Sequence, residues 1–346
     1  MVLSKIGVFQ RRSIKWLLVI MLGLLMFNHV YGQNLAIKAK VPKARIIFDT
    51  DMGPDYDDIG AIAVLHALAS KGECEILATV ASDGHPSIAP AIQLFNEYFK
   101  RSDLPVGIPG PDAPNFPSGN NWNDMMLDHF HQQSLKQRKY FKAVDVYREI
   151  LAKEKDNSVT IVTVGFLSNI SELLKSGPDQ FSKLTGLALV LKKVKNWVAM
   201  AGAFPEGREF NIDRDAAASY YAINNFPKPI LFSGFEIGDK ILTGGMVAKQ
   251  GSADNPIAWG YTYNLKTYLG KEEQNRQSWD QTAVLCAVRD PHKYFYVNGP
   301  GKFELDKEGN NSWNPDINAN HYFLSHKFPY HKIADVLDKL MLTTPR

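Results

Sequence analysis

The sequence predicts an α/β fold with a mainly parallel sheet covered by helices, and three observations support this class. Segments with the pattern of a buried strand alternate with segments of helical periodicity through most of the chain. With 346 residues, 45% of them hydrophobic, the chain can bury a large core. No break in composition divides residues 44–346, so we expect one large domain there.

Short apolar runs indicate the strands, and apolar residues at helical spacing indicate the helices. Ile62, Leu65 and Leu68, for example, share one face of a predicted helix. The loop at 109–121 is rich in Pro, Gly and Asn, and its length favours a function. The predicted strands are 45–48, 75–80, 104–108, 158–164, 186–191, 196–201 and 229–232. The predicted helices are 59–71, 89–99 and 216–223, and residues 250–282 are helical in pattern.

The first 32 residues have the three parts of a secretory signal. They contain a basic start, an apolar run from Trp16 to Phe27 and a small residue at Gly32. The run has 12 residues, whereas a membrane-spanning helix needs about 20. We therefore expect a cleaved signal peptide at 1–32, a polar leader at 33–43 and an exported protein, periplasmic or secreted, with no stable membrane span.

The charge of the remaining chain argues against nucleic acid as a partner. Four of the 39 basic residues lie in the first 32 positions, where no acidic residue occurs, which leaves 35 basic against 36 acidic residues. A nearly neutral body has no basic field for a polyanion, so we expect a small-molecule partner. Cys74 and Cys286 both lie in apolar segments, which favours two buried thiols over a disulfide framework.

An acidic loop follows the first predicted strand, with five carboxylates at Asp49, Asp51, Asp55, Asp57 and Asp58. These groups would repel one another strongly unless protons or a cation neutralise them. Ligands of open α/β sheets usually bind at such strand ends, and a hard divalent cation suits oxygen ligands. A zinc site is disfavoured because no His or Cys is near.

Two other kinds of acidic motif resemble this loop in part. An EF-hand is excluded, because Gly53 and Pro54 occupy the positions that need a ligand and a glycine. Asp49-x-Asp51 after a strand is also typical of haloacid dehalogenase-type phosphatases, in which the first Asp attacks phosphorus beside Mg²⁺. Met52 stands where that family expects Thr or Val. A phosphatase remains the alternative function.

The acidic loop also resembles the N-terminal signature of nucleoside hydrolases, in a longer variant with two extra residues before Asp57-Asp58. Three later segments resemble further elements of that family in the same order. These segments are Gly165-Phe166-Leu167-Ser168-Asn169-Ile170, Glu209-Phe210-Asn211 and Trp279-Asp280-x-x-Ala283. The resemblance to inosine–uridine-preferring nucleoside hydrolases covers roughly residues 44–345. It implies a Rossmann-like fold, hydrolysis of the N-glycosidic bond of a ribonucleoside or related ribosyl compound, and a homo-oligomer.

The resemblance implies a Ca²⁺ site built from distant parts of the chain. Its ligands would be the carboxylates of Asp51, Asp58 and Asp280 and the main-chain carbonyl of Val164. Such an all-oxygen ligand set suits Ca²⁺. Asp280 would also lie close to the bound sugar.

The same resemblance assigns the remaining acids of the loop to catalysis. Asp57 would be the general base for the attacking water. Asp55 is its rival, because the two-residue insertion makes the alignment ambiguous. Asp49 would orient the ligands or the base from behind.

The sugar would be bound by residues from three segments. Glu209 and Asn211 match the family's contacts to the ribose 5′-hydroxyl. Asp83 falls where the family commonly has a ribose-binding Asn, although it can equally be a turn former before Gly84. Arg208 is either a surface residue or a contact to a larger or anionic substrate.

The leaving-group side departs from the family pattern. Many members place an acidic His directly before the last metal Asp, and this chain has Trp279 there. Because an indole is not a proton donor of useful acidity, the base must be activated by stacking or by another acid. Trp279 and Trp122 are the stacking candidates, and His85, His129 and His131 are either substitute acids or ordinary surface residues. The missing His also leaves open a protein that binds ribose or nucleosides with impaired chemistry.

Overall fold

The alternating pattern of the sequence folds into a central sheet in the computed structural model, which describes residues 43–252, 254–269 and 274–345. The predicted signal peptide at 1–32, and all of the predicted leader except Lys43, lie outside the described residues. Within the described residues, none of the helices has the length and apolar character needed to cross a membrane.

Eleven of the described strands form one sheet, and two more form a small antiparallel pair. The strands are β1 (Ala44–Thr50), β2 (Cys74–Ala81), β3 (Val106–Ile108), β4 (Phe141–Lys142), β5 (Val159–Thr163), β6 (Val194–Met200), β7 (Glu206–Gly207), β8 (Ile230–Ser233), β9 (Leu242–Thr243), β10 (Arg276–Gln277), β11 (Phe295–Leu305), β12 (Asn311–Pro315) and β13 (His321–His326). The order in the large sheet is β4-β3-β2-β1-β5-β6-β8-β13-β11-β12-β7, and β9 pairs with β10.

Helices cover both faces of the sheet. The α-helices are α1 (Asp57–Ser70), α2 (Ile88–Tyr98), α3 (Trp122–His129), α4 (Ala143–Lys153), α5 (Ser168–Lys175), α6 (Gly186–Lys193), α7 (Phe210–Arg214), α8 (Ala216–Asn225), α9 (Phe235–Lys240), α10 (Gly245–Gln250), α11 (Pro256–Leu269), α12 (Trp279–Val288) and α13 (Tyr330–Met341). Short 3₁₀ turns occur at Gln133–Gln137 and Pro291–Lys293. The predicted α/β class with a mainly parallel sheet is confirmed, since the pairs from β4 through β8 to β13 are all parallel.

Strand β1 separates the two halves of the core because its side chains alternate between the faces of the sheet. Ile46 and Phe48 pack into the cluster that contains α1. Ile47 packs into the cluster on the opposite face, with Tyr147 and Leu151. Both faces of this strand are therefore buried, as the continuous apolar sequence predicts for a central parallel strand.

The path of the chain creates a crevice at the end of β1. From β1 the chain builds β2, β3 and β4 to one side and then returns to place β5 on the other side. At such a reversal the loops leaving two neighbouring strands diverge, and ligands bind between them. The acidic loop follows β1 and residue Val164 follows β5, so both segments meet at this crevice.

One predicted strand is wrong. Residues 186–191 were expected to be a strand, but they form helix α6. The Thr185 hydroxyl accepts a hydrogen bond from the Ala188 N–H at 3.3 Å and caps the helix. The short apolar run fits a helix as well as a strand, because Leu189 and Val190 are buried while Leu187 and Leu191 are exposed.

The C-terminal part of the sheet was not predicted from the sequence. Strand β13 joins β8 in parallel, and β11 and β12 then add antiparallel to that edge.

Cys74 and Cys286 are both buried free thiols, as predicted.

A buried histidine links α1 to α2. His66 Nε2 lies 3.0 Å from Asn96 Oδ1, and its Nδ1 lies 3.1 Å from the Arg101 guanidinium. Donation to the Asn96 oxygen and acceptance from Arg101 require the neutral tautomer with hydrogen on Nε2. Burial and the charge of Arg101 together lower the pKa of His66 to about 3.

We expect His66 to make the protein less stable in mild acid. Its folded pKa lies below the ordinary value of 6.5, so the unfolded chain binds the extra proton and stability falls as the pH drops below 6.5. Between pH 8 and pH 5 the loss should be about 2 kcal/mol. Urea unfolding of the wild type and His66→Gln at both pH values, with chelator present, measures it. An equal pH dependence in the two proteins would contradict this assignment.

Candidate active site

The loop after β1 is held in place by contacts to its backbone. Met52 has a positive φ of 41°, and its carbonyl accepts a hydrogen bond of 2.6 Å from the Asn123 amide. The Trp122 indole N–H donates to the carbonyls of Gly53 and Asp55, each at 3.2 Å. Because these donors lie on the buried start of α3, they fix the backbone of the loop that carries the carboxylates.

The centre of the site is a cluster of three buried carboxylates, Asp57, Asp58 and Asp280. One oxygen from each lies within 4.8 Å of the others. The Asp280 N–H donates to Asp57 Oδ2 at 3.1 Å, which joins the start of α12 to the start of α1. The cluster therefore contains the predicted base as well as two predicted metal ligands.

Asp58 has the best-defined partners in this cluster. Its Oδ1 accepts hydrogen bonds from the Thr50 hydroxyl and, at 3.1 Å, from the Met52 N–H. Asp51 is 5% exposed and interacts electrostatically with Asp58 and Asp57. Asp51, Asp57 and Asp58 of the loop therefore lie close enough to act on one another electrostatically.

The electrostatics of the cluster favour a bound cation. Burial raises the pKa of Asp58 to about 6. Burial, followed by repulsion from neighbouring carboxylates, places the pKa values of Asp51, Asp57 and Asp280 well above their usual range. A divalent cation would offset both effects, and the oxygen-only donor set suits a hard ion.

Asp49 lies behind the cluster and does not face the crevice. It is 0% exposed, and its carboxylate accepts hydrogen bonds from the Tyr147 hydroxyl at 2.8 Å and the Asn169 amide at 3.1 and 3.2 Å. Burial raises the pKa of Asp49 to about 7. The phosphatase alternative is wrong on this point, because its attacking Asp must reach the substrate.

A cavity of about 270 Å³ opens above the acidic cluster. The titratable side chains among its lining residues are all carboxylic acids. The lining residues are Asp51, Pro54, Asp55, Asp57, Asp58, Val164, Met200, Glu209, Phe210, Asn211, Phe235, Trp279 and Asp280.

The predicted sugar contacts lie on one part of this cavity. Glu209 caps α7, and its Oε1 accepts a hydrogen bond from the Asn211 N–H at 2.9 Å. The Asn211 amide donates to the Met200 carbonyl at 3.2 Å. Burial raises the pKa of Glu209 to about 7. Both polar side chains are therefore held by the backbone where they line the cavity.

Aromatic side chains form another part of the cavity wall. Trp279 stacks on Phe235 with ring centroids 5.4 Å apart, and its indole N–H donates to the Phe235 carbonyl at 2.8 Å. Phe210 also lines the cavity and is 41% exposed. The wall offers apolar faces where an aromatic base can lie.

Two predicted substrate contacts are placed differently by the structure. Trp122 is 0% exposed and supports the loop from below, so it is not a stacking surface of this cavity. Asp83 is 1% exposed, and its two oxygens accept the N–H groups of His85 and Phe116. The bond from His85 forms a turn, and the bond from Phe116 ties that turn to the loop after β3. The charge of Asp83 helps to raise the pKa of Asp51.

The proposed substitute acids lie away from the cavity lining. His85 lines a separate pocket between the loops after β2 and β3, and His129 stacks on Trp259. His131 is at a turn with a φ of 56°. Arg208 is half exposed and pairs with Asp213 on the surface.

Sequence reasoning missed four residues that shape the site. Tyr147 and Asn169 hold Asp49, Phe235 forms part of the wall, and Arg276 pairs with Asp55. Asn169 lies within the recognised motif, which was the available signal. The other three have no local pattern, because their contacts come from strands and helices far away in the sequence.

The fold and the site define a class: an α/β enzyme with an acidic centre at the switch point of a mainly parallel sheet. The family described as inosine-uridine preferring nucleoside hydrolase matches residues 46–320. The chain belongs to this family, and it is a hydrolase that acts on N-glycosyl bonds of nucleosides. Members of the family generally bind a divalent metal, for which the acidic cluster is the candidate site.

Individual relatives are more distant. An uncharacterized protein of Schizosaccharomyces pombe is 26% identical over 252 residues, which are 66% of this chain and 74% of the relative. A plant nucleoside hydrolase is 18% identical with a TM-score of 0.65, covering 87% of this chain and 99% of its own. A purine-preferring ribonucleoside hydrolase from Gardnerella vaginalis is 16% identical with a TM-score of 0.64, covering 86% and 98%. The two structures share the fold of this chain.

We expect Gly165→Ala to damage the site through its backbone. A Cβ at Gly165 would lie 2.4 Å from the Asp51 nitrogen and 2.6 Å from the Ser82 hydroxyl, so the acidic loop must shift. The free energy of unfolding should fall by about 1–3 kcal/mol, and nucleoside hydrolysis should fall with it. Gly177→Ala is the control, because nothing lies within 4 Å of its Cβ. Similar behaviour of both variants would argue against the close approach.

Proposed function

We propose that this protein is a Ca²⁺-dependent, exported hydrolase that splits a ribonucleoside, or a related ribosyl compound, into base and ribose. The observation that carries the proposal is the buried cluster of Asp57, Asp58 and Asp280 at the floor of the cavity. Glu209 and Asn211 lie on the same cavity and supply polar contacts for a sugar.

Calcium suits the residues that would hold it. The carboxylates of Asp51, Asp58 and Asp280 and the carbonyl of Val164 are hard oxygen donors, and sugar hydroxyls and water can complete such a shell. The ion would supply a positive charge that orients the sugar hydroxyls and makes a bound water more acidic. Ca²⁺ is preferred to Zn²⁺ because no His or Cys lines the cavity among the described residues.

Asp57 is the proposed general base. Its carboxylate lies within the cluster, and its Oδ2 is held by the Asp280 N–H. In the reaction, the water oxygen bonds to the anomeric carbon as the C1′–N bond breaks, and the bonding electron pair leaves with the base. Asp57 takes the proton from the attacking water, and the departing base acquires a proton from solvent. The surrounding carboxylates stabilise the positive charge that develops on the ribose ring.

Asp49 is proposed to support this chemistry from behind. Its contacts to Tyr147 and Asn169 fix it directly under the loop, where it can hold the loop's orientation without touching the substrate. Glu209, with its carboxylate held by backbone N–H groups, would accept a hydrogen bond from the ribose 5′-hydroxyl.

The predicted export and self-association belong to the same proposal. The basic start and apolar run of residues 1–32 support secretion or a periplasmic location, and the family resemblance supports a homo-oligomer. Mass spectrometry of the mature N-terminus and light scattering of the purified protein would test the two statements separately.

Removal of the metal should stop turnover. We expect ribose release from purine and pyrimidine nucleosides to be lost in chelator and restored by added Ca²⁺, because uncompensated carboxylates in the cluster repel one another. A reducing-sugar assay with matched amounts of Ca²⁺, Mg²⁺ and Zn²⁺ makes the measurement. Full activity in chelator, or release of phosphate without base, would rule out this function.

Two neighbouring acids provide a matched pair of variants. Asp57→Asn should lower kcat by roughly 10²–10⁴-fold and leave Ca²⁺ binding largely intact, because it removes the proton acceptor. Asp58→Asn should weaken Ca²⁺ binding, so that higher Ca²⁺ concentrations restore part of the activity. Calorimetric Ca²⁺ titration beside steady-state kinetics separates the two effects. Loss of Ca²⁺ binding in Asp57→Asn with normal binding in Asp58→Asn would reverse the assignment.

A further inference from the structure

An ion pair ties the acidic loop to the segment before α12. The Arg276 guanidinium donates to both oxygens of Asp55, through Nε at 3.2 Å and through Nη2. The two side chains are 27% and 30% exposed, and the residues are 221 positions apart in the chain. A two-pronged Arg–carboxylate contact fixes orientation as well as distance. Asp55 belongs to the segment that the two-residue insertion lengthens.

The same guanidinium also contacts two aromatic rings. It lies 5.5 Å from the Tyr56 ring centroid and 5.2 Å from that of Trp279. Tyr56 in turn stacks on Tyr268, with centroids 6.1 Å apart. Trp279 also stacks on Phe235 and donates a hydrogen bond to its carbonyl. The Arg276 guanidinium therefore connects Tyr56, which follows Asp55, with Trp279, which lines the cavity.

These contacts locate the pair on the aromatic part of the cavity. Asp55, Phe235 and Trp279 all line it. The carboxylate cluster has its own link to α12, from the Asp280 N–H to Asp57, and Glu209 is held by backbone N–H groups. The hydrogen bonds that hold the acidic floor and the predicted sugar contacts thus do not involve Arg276, although its charge and that of Asp55 act on Asp57.

The ion pair also bears on which acid, Asp55 or Asp57, is the general base. Both oxygens of Asp55 are engaged by a guanidinium, which stays protonated in proteins. Both oxygens already accept hydrogen bonds from Arg276, so this contact would have to loosen before Asp55 could take a proton from water. Asp57 has no cationic partner within hydrogen-bonding distance among the described residues.

We propose that Asp55 and Arg276 form a strap that positions Trp279 on the leaving-base side of the cavity, and that Asp55 is not the general base. This inference rests on the proposed function. Both are positioning residues: Arg276 acts through the Trp279 ring, and Asp55 acts through Arg276. The strap supplies the ordered aromatic surface on which a base lies as it departs, at the place where the chain lacks an acidic His.

A comparison of two substrates tests the strap. A purine nucleoside has a poor leaving group that depends on the wall, whereas p-nitrophenyl β-D-riboside releases a stable anion that needs no such help. We expect Arg276→Gln and Asp55→Asn each to lower kcat/KM for the nucleoside by about 10–100-fold and to leave the p-nitrophenyl riboside little changed. The double variant should lose no more than either single variant, because the pair acts as one unit.

A similar ion pair away from the cavity lining provides a matched control. Arg289 pairs with Glu73 through two contacts of 2.7 and 2.8 Å, with side-chain exposures of 23% and 33%. Neither residue lines the cavity. Arg289→Gln should leave kcat/KM for both substrates and the Ca²⁺ affinity unchanged. All variants are assayed at saturating Ca²⁺, because the charges of Asp55 and Arg276 act on the acidic cluster.

Two outcomes would overturn the strap. Equal losses on both substrates would mean that the pair supports the whole site. Loss of all turnover in Asp55→Asn, with Arg276→Gln nearly normal, would identify Asp55 as the base. If the wild type hydrolysed neither substrate, the proposed function itself would fail, which is a distinct result.

Discussion

Repulsion among buried carboxylates is the constraint on which the rest of this structure depends. Strand β1 delivers Asp51, Asp57 and Asp58 to one point, and α12 adds Asp280 from the far end of the chain. Burial alone raises the pKa values of these groups, and their mutual repulsion raises them further. Such a cluster is stable in its charged form only when a cation lies within it, so its existence in a folded hydrolase is itself an argument for a metal.

Hydrogen bonds from the surrounding residues orient the carboxylates of this cluster. The Thr50 hydroxyl and Met52 N–H hold Asp58, and the Asp280 N–H holds Asp57. Trp122 fixes the loop backbone from below. Asp57 and Asp58 therefore have defined orientations before any substrate arrives, which lowers the reorganisation that a charged transition state requires.

The two ends of the cavity are built by different principles. The proposed sugar end has Glu209 and Asn211, which are held by the backbone of a short helix and by β6. The proposed leaving-base end has the apolar faces of Phe235 and Trp279, which stack on each other, and Arg276 links Trp279 to Asp55. In the proposed function, the polar end would recognise the ribose and the aromatic wall would accommodate the base.

The sequence by itself determined the fold class and the family, because β1 is apolar on both faces and four motifs occur in one order. The resemblance carried by these motifs also brought Asp51, Asp57, Asp58 and Asp280 together as a single hypothesis. The predicted strand at 186–191 failed because a short apolar run fits a helix equally well once Thr185 caps it.

Only the tertiary structure decided which aromatic and charged residues belong to the cavity. Trp122 and Trp279 look alike as candidates in the sequence, yet one lies under the loop and the other lines the cavity. The pairing of Asp55 with Arg276, on which its proposed positioning role rests, is likewise a contact that only the tertiary structure shows. Contacts of this kind join residues hundreds of positions apart, and local patterns carry no information about them because they arise from the packing of whole strands and helices.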